Sequence, residues 1–111
     1  MIFVTGPLFS GKQEYICRAL GISSADFEKN CVRDVEKLAG KTENLEELAD
    51  SLAEKRVVIA TEVGCGVVPA DPEERREREA AGRLAVLLAS RADTVVRVIC
   101  GLPQILKGSI L

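Results

Sequence analysis

Met1-Ile2-Phe3-Val4-Thr5-Gly6-Pro7-Leu8-Phe9-Ser10-Gly11-Lys12-Gln13 is the stretch that decides the fold. Five extended-type residues run directly into Gly6-Pro7-Leu8-Phe9-Ser10-Gly11-Lys12, the spacing of two glycines and a lysine that makes a phosphate-cradling loop, or P-loop. Residues 12 to 20 then read as a helix, with Tyr15, Ile16 and Leu20, and further Cys17 and Ala19, available to a core. A strand passing through a glycine loop into a helix N-terminus supplies converging backbone N–H groups and a positive dipole end. The last motif position departs from the pattern. A P-loop ends in Ser or Thr, whose hydroxyl coordinates the Mg²⁺ that bridges the phosphates, and Gln13 offers a longer carboxamide instead. The plain alternative is that Gly6 and Gly11 only shape a tight strand-to-helix turn, with Lys12 solvated in the first turn.

Working outward, 111 residues with 47% hydrophobic and 29% charged side chains fit a single domain over residues 1–111, large enough for one core but small for a complete nucleotide-using enzyme. A net charge of −2 with interspersed signs gives no general nucleic-acid or anionic-membrane surface. No apolar run reaches the ~20 residues that cross a bilayer, and the amino terminus is strand-like, so the expected location is cytoplasmic. Cys17, Cys31, Cys65 and Cys100 are scattered, and the chain has no histidine to complete a mixed metal site. They read as reduced, buried thiols. Cys65, between Gly64 and Gly66, is the one position where a reactive thiol is conceivable, although no histidine base exists to activate it.

The remainder alternates helix and strand. Ser23-Ser24 caps a short helix through Lys29 that leads to an apolar element at Cys31-Val32. Asn44 with Glu47 makes a capping box ahead of Leu45, Leu48, Ala49 and Leu52, which share one helical face. The run Arg56-Val57-Val58-Ile59-Ala60-Thr61 is apolar on both faces and belongs inside a parallel sheet, with Glu62 emerging at its carboxyl end. Pro72 opens a long helix to about Arg91 whose buried stripe is Ala81, Leu84, Leu87 and Leu88. Residues 93 to 100 close the pattern as a last strand. The fold class is therefore α/β and P-loop NTPase-like, a small, mostly parallel sheet with helices packed on it. Ligands gather beyond the carboxyl ends of such strands, so Gly6, Glu62 and Gly101 are expected on one edge.

Thr61-Glu62-Val63-Gly64-Cys65-Gly66-Val67-Val68-Pro69, followed by Arg75-x-x-Arg78-Glu79-x-x-Gly82-Arg83, resembles the adenosylcobinamide kinase and adenosylcobinamide-phosphate guanylyltransferase family of cobalamin biosynthesis. In that family an amino-terminal P-loop precedes an Asn-Glu-Val-Gly-x-Gly-Ile-Val-Pro segment, an Arg-Asp-x-x-Gly-x-x-Asn-Gln helix and a hydrophobic strand ending in Ser-Gly. Val95 to Gly101 is similar to that ending. The resemblance covers about residues 1 to 20 and 56 to 107. It implies that Gly6, Pro7, Leu8, Phe9, Ser10, Gly11, Lys12 and Gln13 form a loop for ATP or GTP, with Mg²⁺ accompanying the nucleotide. It also implies that Lys12 neutralises phosphate oxygens and that Glu62 orients a water or a substrate hydroxyl. Arg78 matches the helix arginine and would bind a phosphate or a neighbouring subunit's acid. A cobinamide acceptor and a homo-oligomer follow from the same resemblance. Each site residue keeps a structural alternative: Glu62 as acceptor of backbone N–H groups in the glycine turn, and Arg78 as one of a solvated run of ion-paired charges.

The departures carry equal information. Family relatives perform guanylyl transfer through a covalent guanylyl-histidine, which a histidine-free chain cannot form, and Lys29 has nothing around it that prepares a substitute nucleophile. The family's Asn-Gln pair is Ala85-Val86, and the middle of the chain is much shorter than in relatives. Asp34 takes the place of a metal-positioning acid if Cys31-Val32 is a strand ending near the loop, or else begins an ordinary surface helix. Two functions stay open: a compact kinase transferring the γ-phosphate of ATP or GTP to a cobinamide hydroxyl, and a non-catalytic subunit or sensor that binds nucleotide or corrinoid.

Overall fold

The computed structural model describes residues 1–63 and 71–110. Five strands form one sheet in the order β2-β3-β1-β4-β5: β1 (Ile2–Gly6), β2 (Cys31–Val32), β3 (Val57–Thr61), β4 (Thr94–Ile99) and β5 (Leu102–Lys107). β1 lies at the centre, parallel to β3 on one side and β4 on the other, while β2 runs parallel to β3. The helices are α1 (Lys12–Leu20), α2 (Ser24–Asn30), α3 (Glu36–Ala39), α4 (Leu45–Leu52) and α5 (Pro72–Arg91).

The pleat sorts the strand residues onto two faces. Phe3 pairs in register with Val58 and Val95, and these three pack with Leu84 and Leu88 of α5, Ala49 and Leu52 of α4 and Ala39 of α3. One residue along, Val4 pairs with Ile59 and Val96, and this face packs with Ile16 of α1 and Phe27 of α2. Full burial of each large aliphatic side chain contributes about 1.5–3 kcal/mol, so both faces are fixed by the same alternation. The crossover to β2 uses helices on one face and the return crossovers to β3 and β4 use the other, as a single crossover hand requires. The sheet is thus a mostly parallel α/β layer with helices on both sides.

Local chemistry sets the element ends. Ser23 accepts from the Asp26 amide at 3.2 Å, and Asn44 accepts from the Glu47 amide at 3.1 Å. Asp71 accepts from the Glu73 amide at 3.0 Å just before Pro72 in the first turn of α5. Of the expected stripe on α5, Ala81, Leu84 and Leu88 are buried with Ala80, while Leu87 is only partly covered. On α1, Ile16 is buried, Tyr15, Cys17 and Leu20 pack against the core, and Ala19 faces solvent.

Two expectations need correction. The strand ending near Cys100 is not the last: β5 turns back antiparallel to β4, pairing Ile99 with Leu102 and Arg97 with Gln104. Pro103, which lacks an N–H, lies in this edge strand, a position such a residue tolerates. Lys107 then donates to the carbonyls of Ala89 (3.1 Å) and Ser90 (3.2 Å), satisfying orphan acceptors near the end of α5. Cys100 is exposed, at φ 52° in the β4–β5 turn, whereas Cys31 is buried and Cys17 half-buried; Cys65 lies outside the described residues. Among the described residues, no helix is long and apolar enough to cross a membrane.

Candidate phosphate-binding site

Parallel strands bring their carboxyl ends to one edge, and the chemistry collects there. β1 ends in the loop Gly6 to Gly11, β2 delivers Arg33 and Asp34, β3 delivers Glu62, and β4 ends at Cys100 and Gly101. The Glu62 amide donates to the Gly6 carbonyl at 2.8 Å, and the Gly101 amide donates to the Ser10 carbonyl at 2.8 Å. The loop is therefore pinned from both flanks. Gly6 is required at its start: a Cβ there would stand 2.3 Å from the Val98 carbonyl oxygen and 2.9 Å from Ser10 Oγ. Gly11, at φ 84°, caps α1 from the left-handed region without any side-chain bond. The first amides of α1 consequently have no intrahelical partner and face the loop.

Lys12 is turned inward. Its residue is only 8% exposed, and Nζ donates to the Pro7 carbonyl at 2.7 Å, drawing the ammonium across the loop. Burial pushes its pKa below the usual lysine value, against the opposing pull of the Glu36, Asp34, Glu62 and Glu14 carboxylates. Ser10 is equally enclosed, and its hydroxyl has no hydrogen-bond partner among the described residues. A buried hydroxyl without a partner and an enclosed lysine on one depression are unfavourable in an empty protein and ordinary around an anion. Both residues line a depression of about 250 Å³ together with Leu8, Phe9, Gly11, Gln13, Arg33, Asp34 and Thr61. Phe9, at φ 59°, and Leu8 are exposed at the loop tip.

Glu62 has a partner that the sequence reading missed. Arg97 on β4 grips it with two bonds, Nε to Oε1 and Nη2 to Oε2, the latter at 2.9 Å. This bidentate pair, helped by the Lys12 charge, holds the Glu62 carboxyl below the usual range despite partial burial. A charged residue within an otherwise β-branched strand, with an acid at the end of the strand on the other side of β1, was the available signal.

The other predicted residues separate. Asp34 stands at φ 57° on the wall of the loop depression, 3.9 Å from Arg33 through Oδ2 and Nε, after a genuine strand at Cys31–Val32. Arg78 is not among the residues lining the loop depression. It borders a neighbouring one of about 430 Å³ with Glu36, Val63 and Glu74. Glu36 lines this second depression, and its carboxylate accepts from the Thr61 amide at 2.9 Å. Residues Gly64 to Pro69 of the glycine-rich segment lie outside the described residues. At Gln13 the residues do not fit a hydroxyl-held Mg²⁺, because its Oε1 already accepts from Arg33 Nη1 at 2.9 Å.

These features define a class: a mostly parallel α/β domain with a glycine loop, a buried lysine and an unpartnered serine hydroxyl gathered at the carboxyl edge of its sheet. The family can also be stated. A sequence model described as "Cobinamide kinase / cobinamide phosphate guanyltransferase" matches residues 21–106, and the chain belongs to that family. It is similar to the bifunctional adenosylcobalamin biosynthesis protein CobP of Pseudomonas aeruginosa, 36% identical over 75 residues. That match takes in 68% of this chain and 43% of the relative, so the chain spans less than half of the protein it resembles.

Proposed function

We propose that this chain binds the phosphates of ATP or GTP in the loop Gly6 to Gln13 and acts in cobalamin biosynthesis as an adenosylcobinamide kinase-like phosphoryl-transfer protein, without histidine-dependent guanylyl transfer. The observation that carries the reading is the shared depression lined by the buried residue Lys12 and by Ser10, whose hydroxyl has no partner among the described residues. Lys12 would exchange its Pro7 carbonyl for phosphate oxygens, and the first amides of α1 would receive the same group. In the transfer itself, a cobinamide hydroxyl oxygen forms a bond to the γ-phosphorus as the bridging bond to the nucleoside diphosphate breaks, and the hydroxyl proton is released to solvent. Such chemistry asks mainly for positioning and charge neutralisation. Mg²⁺ enters the proposal as the ion that accompanies the nucleotide, with Asp34 as the carboxylate on the same pocket wall. Glu62, held ionised by Arg97, would act on the acceptor hydroxyl only by loosening that pair. Arg78 would serve a group in the adjoining depression, and self-association, in soluble cytoplasmic form, belongs to the same proposal.

The second reading, a non-catalytic nucleotide- or corrinoid-binding subunit or sensor, is favoured by one specific observation: Gln13 occupies the hydroxyl position and is tied to Arg33. Replacing Gln13→Ser separates the two. Under the kinase reading, Mg²⁺-dependent phosphorylation of cobinamide by ATP or GTP rises in the variant. No phosphorylated product from either protein, with nucleotide still bound, would establish the binding-only role.

A further inference from the structure

Arg33 is a cation that neither the loop motif nor the family resemblance assigned. It follows β2 directly, where the parallel sheet turns its strand ends toward the loop, and its side chain lies across to the first turn of α1. There Nη1 donates to the carboxamide oxygen of Gln13 at 2.9 Å, the residue at the motif position whose hydroxyl ordinarily brings in Mg²⁺. Gln13 and Arg33 make sense together. A hydroxyl would recruit a divalent cation from solution, whereas a carboxamide oxygen recruits a guanidinium from the chain. Asp34, at 3.9 Å from Nε, leaves the rest of the guanidinium's donors for another partner. Arg33 lines the same depression as Lys12 and the unpartnered Ser10 hydroxyl, and the space of about 250 Å³ suits a phosphate chain rather than a whole nucleotide.

We propose that Arg33, aimed by Gln13, is the second phosphate-binding cation of this site, and that it replaces hydroxyl-held Mg²⁺ in binding, so that polyphosphate is held without divalent metal. The inference rests on the nucleotide-binding reading above, and deepens it by naming the group that meets the outer phosphates. A planar guanidinium suits this place better than a point charge, since it keeps one edge for Gln13 and presents another to phosphate oxygens. Gln13 is then a positioning residue, and Arg33 touches the ligand.

The test is calorimetric titration of inorganic triphosphate and of GTP into the full chain, in excess EDTA and again with Mg²⁺. The wild-type protein is expected to bind both in EDTA, with affinity altered less than about threefold by Mg²⁺. Arg33→Ala should weaken binding in EDTA by about tenfold or more while leaving the circular dichroism spectrum and melting temperature unchanged, because the side chain is exposed. Arg33→Lys should recover part of that loss. Gln13→Ser should create a metal preference that the wild type lacks, binding better with Mg²⁺ than without. Equal affinity of wild type and Arg33→Ala in EDTA would overturn the role of Arg33 and leave the phosphate loop standing. Binding by the wild type that requires Mg²⁺ would overturn metal independence in the same way. Absence of binding under both conditions would overturn this inference together with the reading on which it rests, and only that result would reach both.

Discussion

Gly6→Ala is the smallest change that should break the site, and its consequence can be worked from the coordinates. The added methyl would stand 2.3 Å from the backbone carbonyl oxygen of Val98 and 2.9 Å from Ser10 Oγ. Real Cβ contacts essentially never fall below 3.0 Å, so the strand and the loop must part by about 0.7 Å or more. Neither can yield cheaply. Val98 is fully buried in β4, and Ser10 is tied to Gly101 by a 2.8 Å bond, so the methyl pushes on a core strand and on one of the two bonds that pin the loop. Overpacking of this kind typically costs about 1–3 kcal/mol. For a domain of this size, each kcal/mol lowers the melting temperature by about 4–8 °C, giving a fall of about 5–20 °C. The experiment is thermal unfolding by circular dichroism, with and without GTP at millimolar concentration. Gly6→Ala should melt lower and lose most of any stabilisation by GTP, because displacing the loop misaligns the amides that would meet phosphate. A variant melting within a degree or two of wild type, with its GTP response intact, would refute the close approach of loop and strand described above.

Lys12→Met should abolish the nucleotide-induced melting shift while leaving the ligand-free protein as stable as wild type or more so by up to about 1 kcal/mol, since a poorly solvated ammonium is exchanged for an apolar chain of similar length; differential scanning calorimetry reads both. Glu62→Gln should destabilise the fold at neutral pH by about 1–2 kcal/mol, measured by urea unfolding. The folded-state pKa of Glu62 is depressed, so the contribution of its ionised form is complete above the ordinary carboxylate pKa and is lost as pH falls through the lowered value. The gap between wild type and variant should therefore close on strong acidification, and a gap that widens there would contradict the pairing with Arg97. Leu88→Ala should cost about 2–5 kcal/mol, because Leu88 is fully buried between α5 and the sheet. Val86→Ala, on the opposite and exposed face of α5, should change stability by less than about 0.5 kcal/mol.

Legibility in the sequence followed how local the determining physics was. The first strand, the glycine loop and α1 were readable because a β-branched run, two glycines and a helical periodicity follow one another without interruption. The cap at Asn44 and the first-turn Pro72 marked their helices for the same reason. β5 was not readable: Pro103 and Gln104 argue against a strand locally, and only its pairing with β4 and the anchorage of Lys107 make it one. The site residues divided along the same line. Lys12 and Ser10 belong to a contiguous motif, so their gathering was expected. Arg97 and Arg33 come from distant segments, and each meets its partner only through sheet order, which places β2 and β4 on either side of the β3–β1 pair. Charged residues near strand ends look like solvated ones until an acid or an amide is known to face them. Arg78 was legible only as a motif position, and the fold sets it on a separate depression with Glu36, Val63 and Glu74.

Amide chemical-shift mapping by heteronuclear NMR during a GTP titration probes most directly whether the start of α1 is an anion nest. The account predicts saturable shifts concentrated at Gly6 and from Phe9 to Gln13, with smaller ones at Arg33 and Gly101, all lost in Lys12→Met. Shifts confined to residues remote from the loop, or none at all near it, would contradict it.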